Sequence, residues 1–225
     1  KASVEIGGKG ELYINTANAS VIGLSGTDPA GKITSATAGN TLAIQSGSYA
    51  GSIGNNLNLN KTGTDALTLS GDLSAFNGSM TVSSGDLTLT NYTGSGKLVV
   101  DGGKLVLGGT GELNQSSTVA AGATLVINDG TRKLYISNNK TFDSGTIEIK
   151  EGAMFRTTSL WKHHLNFGSE SKWTGTGTFR FDVPETQGQY DGFRNLTLQG
   201  STSGFTGTLE LLGTDWDENQ KAYRT

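Results

Sequence analysis

The sequence contains no cysteine and only two prolines, Pro29 and Pro184, among its 225 residues. Without cysteine the chain can form neither a disulfide bond nor a thiolate metal site, and the shortage is compatible with export through an oxidising compartment. Because prolines are so few, nearly every backbone amide can donate a hydrogen bond, as continuous β-ladders require. The two shortages favour an all-β fold.

Long apolar runs and a strong net charge are also missing. No stretch of about 18 apolar residues occurs, so we expect no membrane-spanning helix. The 17 basic and 20 acidic residues are interspersed without a basic stripe, and the formal net charge is -3, so we expect no nucleic-acid partner. Only 34% of the residues are hydrophobic while 34 residues are glycine, which predicts a narrow core.

A short apolar-x-apolar pair recurs along the whole chain. Each pair predicts a short strand with one face inward, and a polar middle residue such as Thr68 or Thr88 predicts that the other face meets water. The glycine-rich turns between the pairs are too short to hold crossover helices. The pairs are Leu67/Leu69, Met80/Val82, Leu87/Leu89, Leu98/Val100, Leu105/Leu107, Leu125/Ile127, Leu134/Ile136, Ile147/Ile149, Phe179/Phe181, Leu196/Leu198 and Leu209/Leu211.

A longer unit also repeats. Leu-Thr-Leu-Ser-Gly begins at Leu67 and leads to Phe76, and Leu-Thr-Leu-Gln-Gly begins at Leu196 and leads to Phe205, with the same spacing from leucine to phenylalanine. One such unit cannot bury its own apolar face, whereas stacked units can. The repeat therefore predicts a β-solenoid.

The stretch from Leu67 to Leu89 resembles the autotransporter-associated β-strand repeat of bacterial surface proteins. It has Leu-Thr-Leu-Ser-Gly followed by Phe-Asn-Gly-Ser-Met-Thr-Val-Ser-Ser-Gly-Asp-Leu-Thr-Leu, and the segment from Leu196 to Leu211 is similar. The Gly-Thr-Gly elements at Gly109 and Gly175 are similar to that family's punctuation. The resemblance implies a right-handed single-stranded parallel β-helix, secretion, and a passenger or stalk role in adhesion or aggregation.

Residues 1–225 are predicted to form a single β-helix domain. Because the chain begins at Lys1, with neither an initiator methionine nor a signal peptide, we expect it to be a fragment of a longer repeat protein. The segment 155–193 has few regular pairs and is predicted to be an irregular or decorated part of the domain.

Four aromatic residues of this segment are candidates for a ligand surface. Exposed flat rings are the usual stacking surface for sugars, so the four predict a carbohydrate platform if they are exposed together. The alternative, which we favour, is that they fill or cap a coil, because most aromatic residues belong to a core. The four residues are Trp161, Trp173, Tyr190 and Phe193.

Candidates for catalysis and metal binding are weaker. Asp182, Glu185 and Asp191 surround a predicted loop, and paired carboxylates can hydrolyse a glycosidic bond, but a solvated acidic turn has the same sequence. Adjacent His163 and His164 would point to opposite faces of a strand and have no third ligand. A single glycine-rich element, 108–112, partly matches a calcium repeat, which needs consecutive copies. We therefore predict no catalytic residue, no cofactor and no metal.

The sequence favours a structural or adhesive module, secreted to or held on the outer surface of a bacterium, and not an enzyme. Its expected partners are cell-surface glycans, proteins or further copies of itself. Two alternatives stay open at this point: a carbohydrate-binding β-helix, and a polysaccharide lyase or hydrolase.

Overall fold

A computed structural model describes residues 2–159, 163–182, 195–212, 215–217 and 222–224. None of these residues is helical, and their strands stack in parallel as a β-solenoid of about eight turns. The predicted all-β parallel β-helix is confirmed.

The chain winds through three stacks of parallel strands, A, B and C, in that order, although some turns have no strand in stack C. Four long strands pass from stack A into stack B: β3 (Asn18–Gly26), β5 (Asn40–Tyr49), β17 (Lys140–Ile149) and β19 (Leu165–Gly175). Stack A also contains β7 (Leu57–Lys61), β9 (Ser79–Val82), β11 (Lys97–Val100), β14 (Thr118–Val119) and β21 (Leu196–Leu198). Stack B also contains β1 (Val4–Glu5), β8 (Leu67–Leu69), β10 (Asp86–Leu89), β12 (Lys104–Leu107), β15 (Thr124–Ile127) and β22 (Ser201–Phe205).

Stack C is built from shorter sheets. Its strands are β2 (Glu11–Ile14), β4 (Lys32–Ser35), β6 (Ser52–Ile53), β13 (Gly111–Leu113), β16 (Thr131–Ile136), β18 (Met154–Ser159), β20 (Thr178–Asp182) and β23 (Thr208–Leu212). Between β6 and β13 no described residue of this stack is in a strand, and buried Leu73, Phe76 and Tyr92 fill the interior there. A separate antiparallel pair is formed by β24 (Asp215–Asp217) and β25 (Ala222–Arg224).

The core consists of columns of side chains, one from each turn. Alternate residues of a strand point inward, and parallel pairing places the inward residue of one turn on that of the next. The step along the chain varies from 17 residues between Asn40 and Leu57 to 31 between Leu165 and Leu196. One such column in stack B runs through Leu67, Leu87, Leu105, Leu125, Ile147 and Trp173.

The apolar pairs from Leu67/Leu69 to Phe179/Phe181 lie in strands and are buried, as predicted. The last two pairs lie in strands but are not buried, because no described strand pairs with the far edges of β21 and β23. Leu211 is 61% exposed, although its register partner Phe181 is only 5% exposed. The register places both pairs in the inward columns, as predicted, but the described residues do not bury them.

The described part of segment 155–193 contains both regular and irregular pairing. Strands β18 and β20 pair in unbroken register, whereas β19 shows a register shift against β17 and another against β22. The segment departs from the earlier repeat in the length of its turns, which hides the period in the sequence. Residues 160–162 and 183–193 lie outside the described residues.

Candidate functional site

The outer surface of stack C is a grid of side chains, because β13, β16, β18, β20 and β23 keep one continuous register. Neighbouring strands are about 4.8 Å apart, so outward residues in register stand side by side. The central column reads Glu112, Lys133, Arg156, Arg180 and Glu210, and the next column reads Tyr135, Thr158, Asp182 and Leu212. We use the name stack C patch for Lys133, Tyr135, Arg156, Thr158 and Arg180.

Asp182 is the counter-ion of both arginines in the patch. Its side chain is only 9% exposed; Oδ2 accepts a hydrogen bond from Arg156 Nε, and Oδ1 accepts one from Arg180 Nε at 2.6 Å. Arg180 Nη1 also lies 3.8 Å from Glu210 Oε2. The hydrogen bond to Asp182, helped by the charges of Asp182 and Glu210, raises the pKa of Arg180. Asp182 therefore holds the two guanidinium groups in fixed positions.

The other end of the patch has a free cation and an exposed ring. Lys133 is exposed and forms no ion pair with any residue that the structure describes, although Glu112 is its register partner. Tyr135 follows two positions later on the same outward side and is 41% exposed. Lys133 and Arg156 thus stand on adjacent strands, and Tyr135 follows Lys133 on the same outward side of β16.

The register brings together cations that are scattered in the sequence. Lys133, Arg156 and Arg180 are 23 or 24 residues apart along the chain, and only the register brings them into one column. Acidic Glu112 and Glu210 end the column, so the stripe is three cations long. Its length suits a single anionic group better than a long polyphosphate backbone.

Of the three acidic candidates, only Asp182 is described, and Glu185 and Asp191 lie outside the described residues. Both carboxylate oxygens of Asp182 already accept hydrogen bonds from arginines. A general acid or base must exchange a proton with a substrate, whereas this carboxylate is positioned to hold Arg156 and Arg180.

The predicted aromatic platform is wrong for Trp173. This residue is 2% exposed, and its ring packs edge-on against Phe167, with centroids 4.4 Å apart, and against Phe179 at 4.3 Å. It occupies the inward column above Ile147, so the alternative that it fills a coil is the one observed. Trp161, Tyr190 and Phe193 lie outside the described residues.

The two histidines precede β19 instead of lying within a strand. His164 links neighbouring turns: its backbone amide donates to Asn139 Oδ1 at 2.9 Å, and its Nδ1 accepts the amide of Asn195 at 3.3 Å. In the part of the chain that the structure describes, no three histidine, aspartate or glutamate side chains lie close enough together to hold a metal ion.

The glycine-rich element 108–112 is held by groups of the protein. Gly109 donates its amide to Asp129 Oδ1, and the carbonyl of Gly108 accepts a hydrogen bond from Arg132 Nη2. Gly111 lies beneath Arg132 in register, and a Cβ there would come within 2.6 Å of Arg132 Nη1. Because glycine has no Cβ, Gly111 leaves space for the guanidinium group of Arg132 to enter the interior.

Two cations lie inside the solenoid, and the sequence analysis predicted neither. Lys61 is 1% exposed and donates to the carbonyls of Thr62 and Gly63 at 2.9 Å and to that of Ser84 at 3.1 Å. Arg132 is fully buried and donates to Tyr92 O and Gly108 O. Burial lowers the pKa of both groups, because a charge loses its hydration in the interior.

Two buried tyrosines predict how stability changes at high pH. Burial raises the pKa of Tyr49 and Tyr92 to about 12. When the pKa of a tyrosine is higher in the folded state than in the unfolded state, the folded state holds the proton more tightly. This contribution to stability is complete below the unfolded pKa of about 10 and is lost as the pH rises to about 12. Between pH 10 and pH 12 the free energy of unfolding should therefore fall by roughly 2–3 kcal/mol for each tyrosine.

Tyr49→Phe and Tyr92→Phe test this directly by thermal melts between pH 7 and pH 12. The Tyr49 hydroxyl has no hydrogen-bond partner among the residues that the structure describes, so Tyr49→Phe should leave stability at pH 7 unchanged or slightly raised. Tyr92 donates to Gly96 O at 3.1 Å, so Tyr92→Phe should cost about 1 kcal/mol at pH 7. Both variants should lose less stability than the parent between pH 10 and 12, and identical alkaline slopes would contradict the expectation.

No helix long and apolar enough to cross a bilayer occurs in the described ranges. No protein-family model matches the chain, and no curated protein and no solved structure matches it either.

Proposed function

We propose that the chain is an extended structural and adhesive module, displayed on or secreted from a bacterial surface, that attaches through many weak contacts along its length. The observation that carries this proposal is the parallel stacking of strands over about eight turns. Such stacking repeats the same outward positions at a constant spacing, which suits a display surface.

The outward columns support an adhesive role. Ser48, Thr68 and Thr88 stand in register on the outside of stack B, and the two threonines are half-buried by their neighbours. Side chains held in this way lose little freedom when they bind a partner. Each contact is weak, but many chains displayed together raise the effective concentration and convert weak contacts into firm attachment.

Attachment that depends on surface density is the expected result. Beads coated sparsely and densely with the purified chain are incubated with epithelial cells and with each other, and the attached fraction is counted. Dense coating should bind at least about a hundredfold more strongly than the chain free in solution. Beads coated with an unrelated protein of matched net charge are the control.

Two outcomes would contradict the proposal. If coated beads attach no better than the control at any density, the chain is not an adhesive module. If the purified chain releases reducing ends or unsaturated products from a polysaccharide, and Asp182→Asn abolishes that release while the variant still melts cooperatively, the module is an enzyme instead.

A further inference from the structure

We propose that the stack C patch binds an acidic polysaccharide, with one carboxylate or sulfate group between Lys133 and Arg156 and a sugar ring against Tyr135. This inference rests on the proposed adhesive function and names the ligand class for one of its surfaces. It begins from the neighbouring positions of Lys133 and Arg156 in the central column.

Two neighbouring cations repel each other, and an anion between or beside them offsets this repulsion by attracting both. Asp182 serves Arg156 and Arg180 through their Nε atoms, and Glu210 lies near Arg180 only. Lys133 receives no such partner from the described residues, even though Glu112 stands next to it in the column. The Lys133 end of the patch is therefore where an external anion adds the most stabilisation.

The guanidinium group of Arg156 is already positioned for an anion. Its Nε is bonded to Asp182, a side chain that is only 9% exposed and so is itself held in place. Its terminal nitrogens form no hydrogen bond to another described residue, and the side chain is 36% exposed. A planar fork held at its base can donate two parallel hydrogen bonds to a carboxylate or a sulfate with little further loss of freedom.

Tyr135 distinguishes a sugar from other anions. Its ring is 41% exposed on the same outward side as Lys133, and its register partner Thr158 adds a hydroxyl group next to Arg156. An exposed ring beside paired cations presents an apolar plane and an anion site together, and an acidic sugar has both an apolar ring face and an anionic group. A simple inorganic anion would use the cations and leave the ring without a role.

The test measures binding of the purified chain to three immobilised probes: polygalacturonate, dextran sulfate and neutral dextran. The parent should bind at least one acidic polymer, less strongly as salt is added, and should not bind neutral dextran. Binding to polygalacturonate alone identifies a carboxylate site, binding to dextran sulfate alone identifies a sulfate site, and binding to both identifies a general acidic-glycan site; each supports the proposal.

Matched variants locate the site. Lys133→Gln removes a charge that no described residue pairs with, and Lys9→Gln makes the same change at another exposed lysine far along the chain. Lys133→Gln should weaken binding roughly tenfold, in line with the loss of a charge-assisted hydrogen bond. Tyr135→Thr, which copies the threonine of the next turn, should weaken it by several fold, whereas Lys9→Gln should stay near the parent.

Binding to neutral dextran as strong as that to the acidic polymers would overturn the proposal. So would equal effects of Lys133→Gln and Lys9→Gln, or a Tyr135→Thr variant that binds like the parent. Melting temperatures of all three variants near that of the parent show that the fold is kept. If the parent binds neither acidic polymer while densely coated beads still attach to cells, the glycan proposal is wrong and the adhesive function stands. If Lys133→Gln alone loses glycan binding while its densely coated beads still attach to cells, the glycan site is distinct from the surfaces that attach.

Discussion

Leu69→Asp should unfold the protein or leave it aggregated. Leu69 is 1% exposed and stands in an inward column between Tyr49 and Leu89, so an aspartate there places an unpaired charge in a narrow apolar core. Neighbouring turns depend on each other for burial, and the damage therefore spreads beyond one turn. We expect a loss of about 4 kcal/mol or more, measured by circular dichroism during thermal and urea denaturation.

Thr68→Asp is the matched control, one residue earlier in the same strand. Thr68 points outward between Ser48 and Thr88, where an added carboxylate stays in water. The change should cost about 1 kcal/mol or less, mainly through the lower strand propensity of aspartate. Equal melting temperatures for the two variants would show that the faces of β8 are assigned the wrong way round.

Gly47→Ala should have the second-largest effect on stability. Gly47 lies in β5 where the strand passes from stack A to stack B, and its φ is 133°, a conformation that other residues rarely adopt. A Cβ at this position would lie far inside van der Waals contact with the carbonyl oxygen of Leu24, the register partner in the preceding turn. Because that carbonyl belongs to the ladder and cannot rotate away, we expect a loss of about 3 kcal/mol or more.

Gly122→Ala separates the clash from the backbone strain. Gly122 also has a positive φ of 79°, but a Cβ there meets no atom within 4 Å. The substitution should cost only about 1–2 kcal/mol, the usual penalty for a left-handed residue with a side chain. If Gly47→Ala and Gly122→Ala shift the melting temperature equally, the close approach of β3 and β5 is not the reason that position 47 requires glycine.

The inward positions of most strands were predictable from the sequence, but two cations were not. Lys61 continues the alternation Leu57, Leu59 and is buried like them. Arg132 likewise precedes Leu134 by two positions in β16. A strand pattern that admits only apolar residues inside misses both, since their burial depends on carbonyls such as Ser84 O and Tyr92 O supplied by other turns.

The repeats from Leu67 to Phe76 and from Leu196 to Phe205 have the same spacing in the sequence, but their environments in the structure differ. Phe76 is fully buried, while Phe205 is only partly buried and lies against Trp173, with ring centroids 6.0 Å apart. The two copies also occupy different places in a turn, because Leu67–Leu69 lies in stack B and Leu196–Leu198 lies in stack A. Burial in a repeat protein depends on the neighbouring turns as well as on the unit itself.

The sequence by itself determined which segments are strands and which side of most strands turns inward, because both follow from the alternation of neighbouring residues. Only the tertiary structure decided which residues of different turns become neighbours. The turns differ in length, from 17 residues at Asn40 to 31 at Leu165, so no fixed period in the sequence predicts the register. Lys133, Arg156 and Arg180 form one column, and Asp182 becomes the counter-ion of the two arginines, because parallel pairing joins backbone groups far apart in the chain.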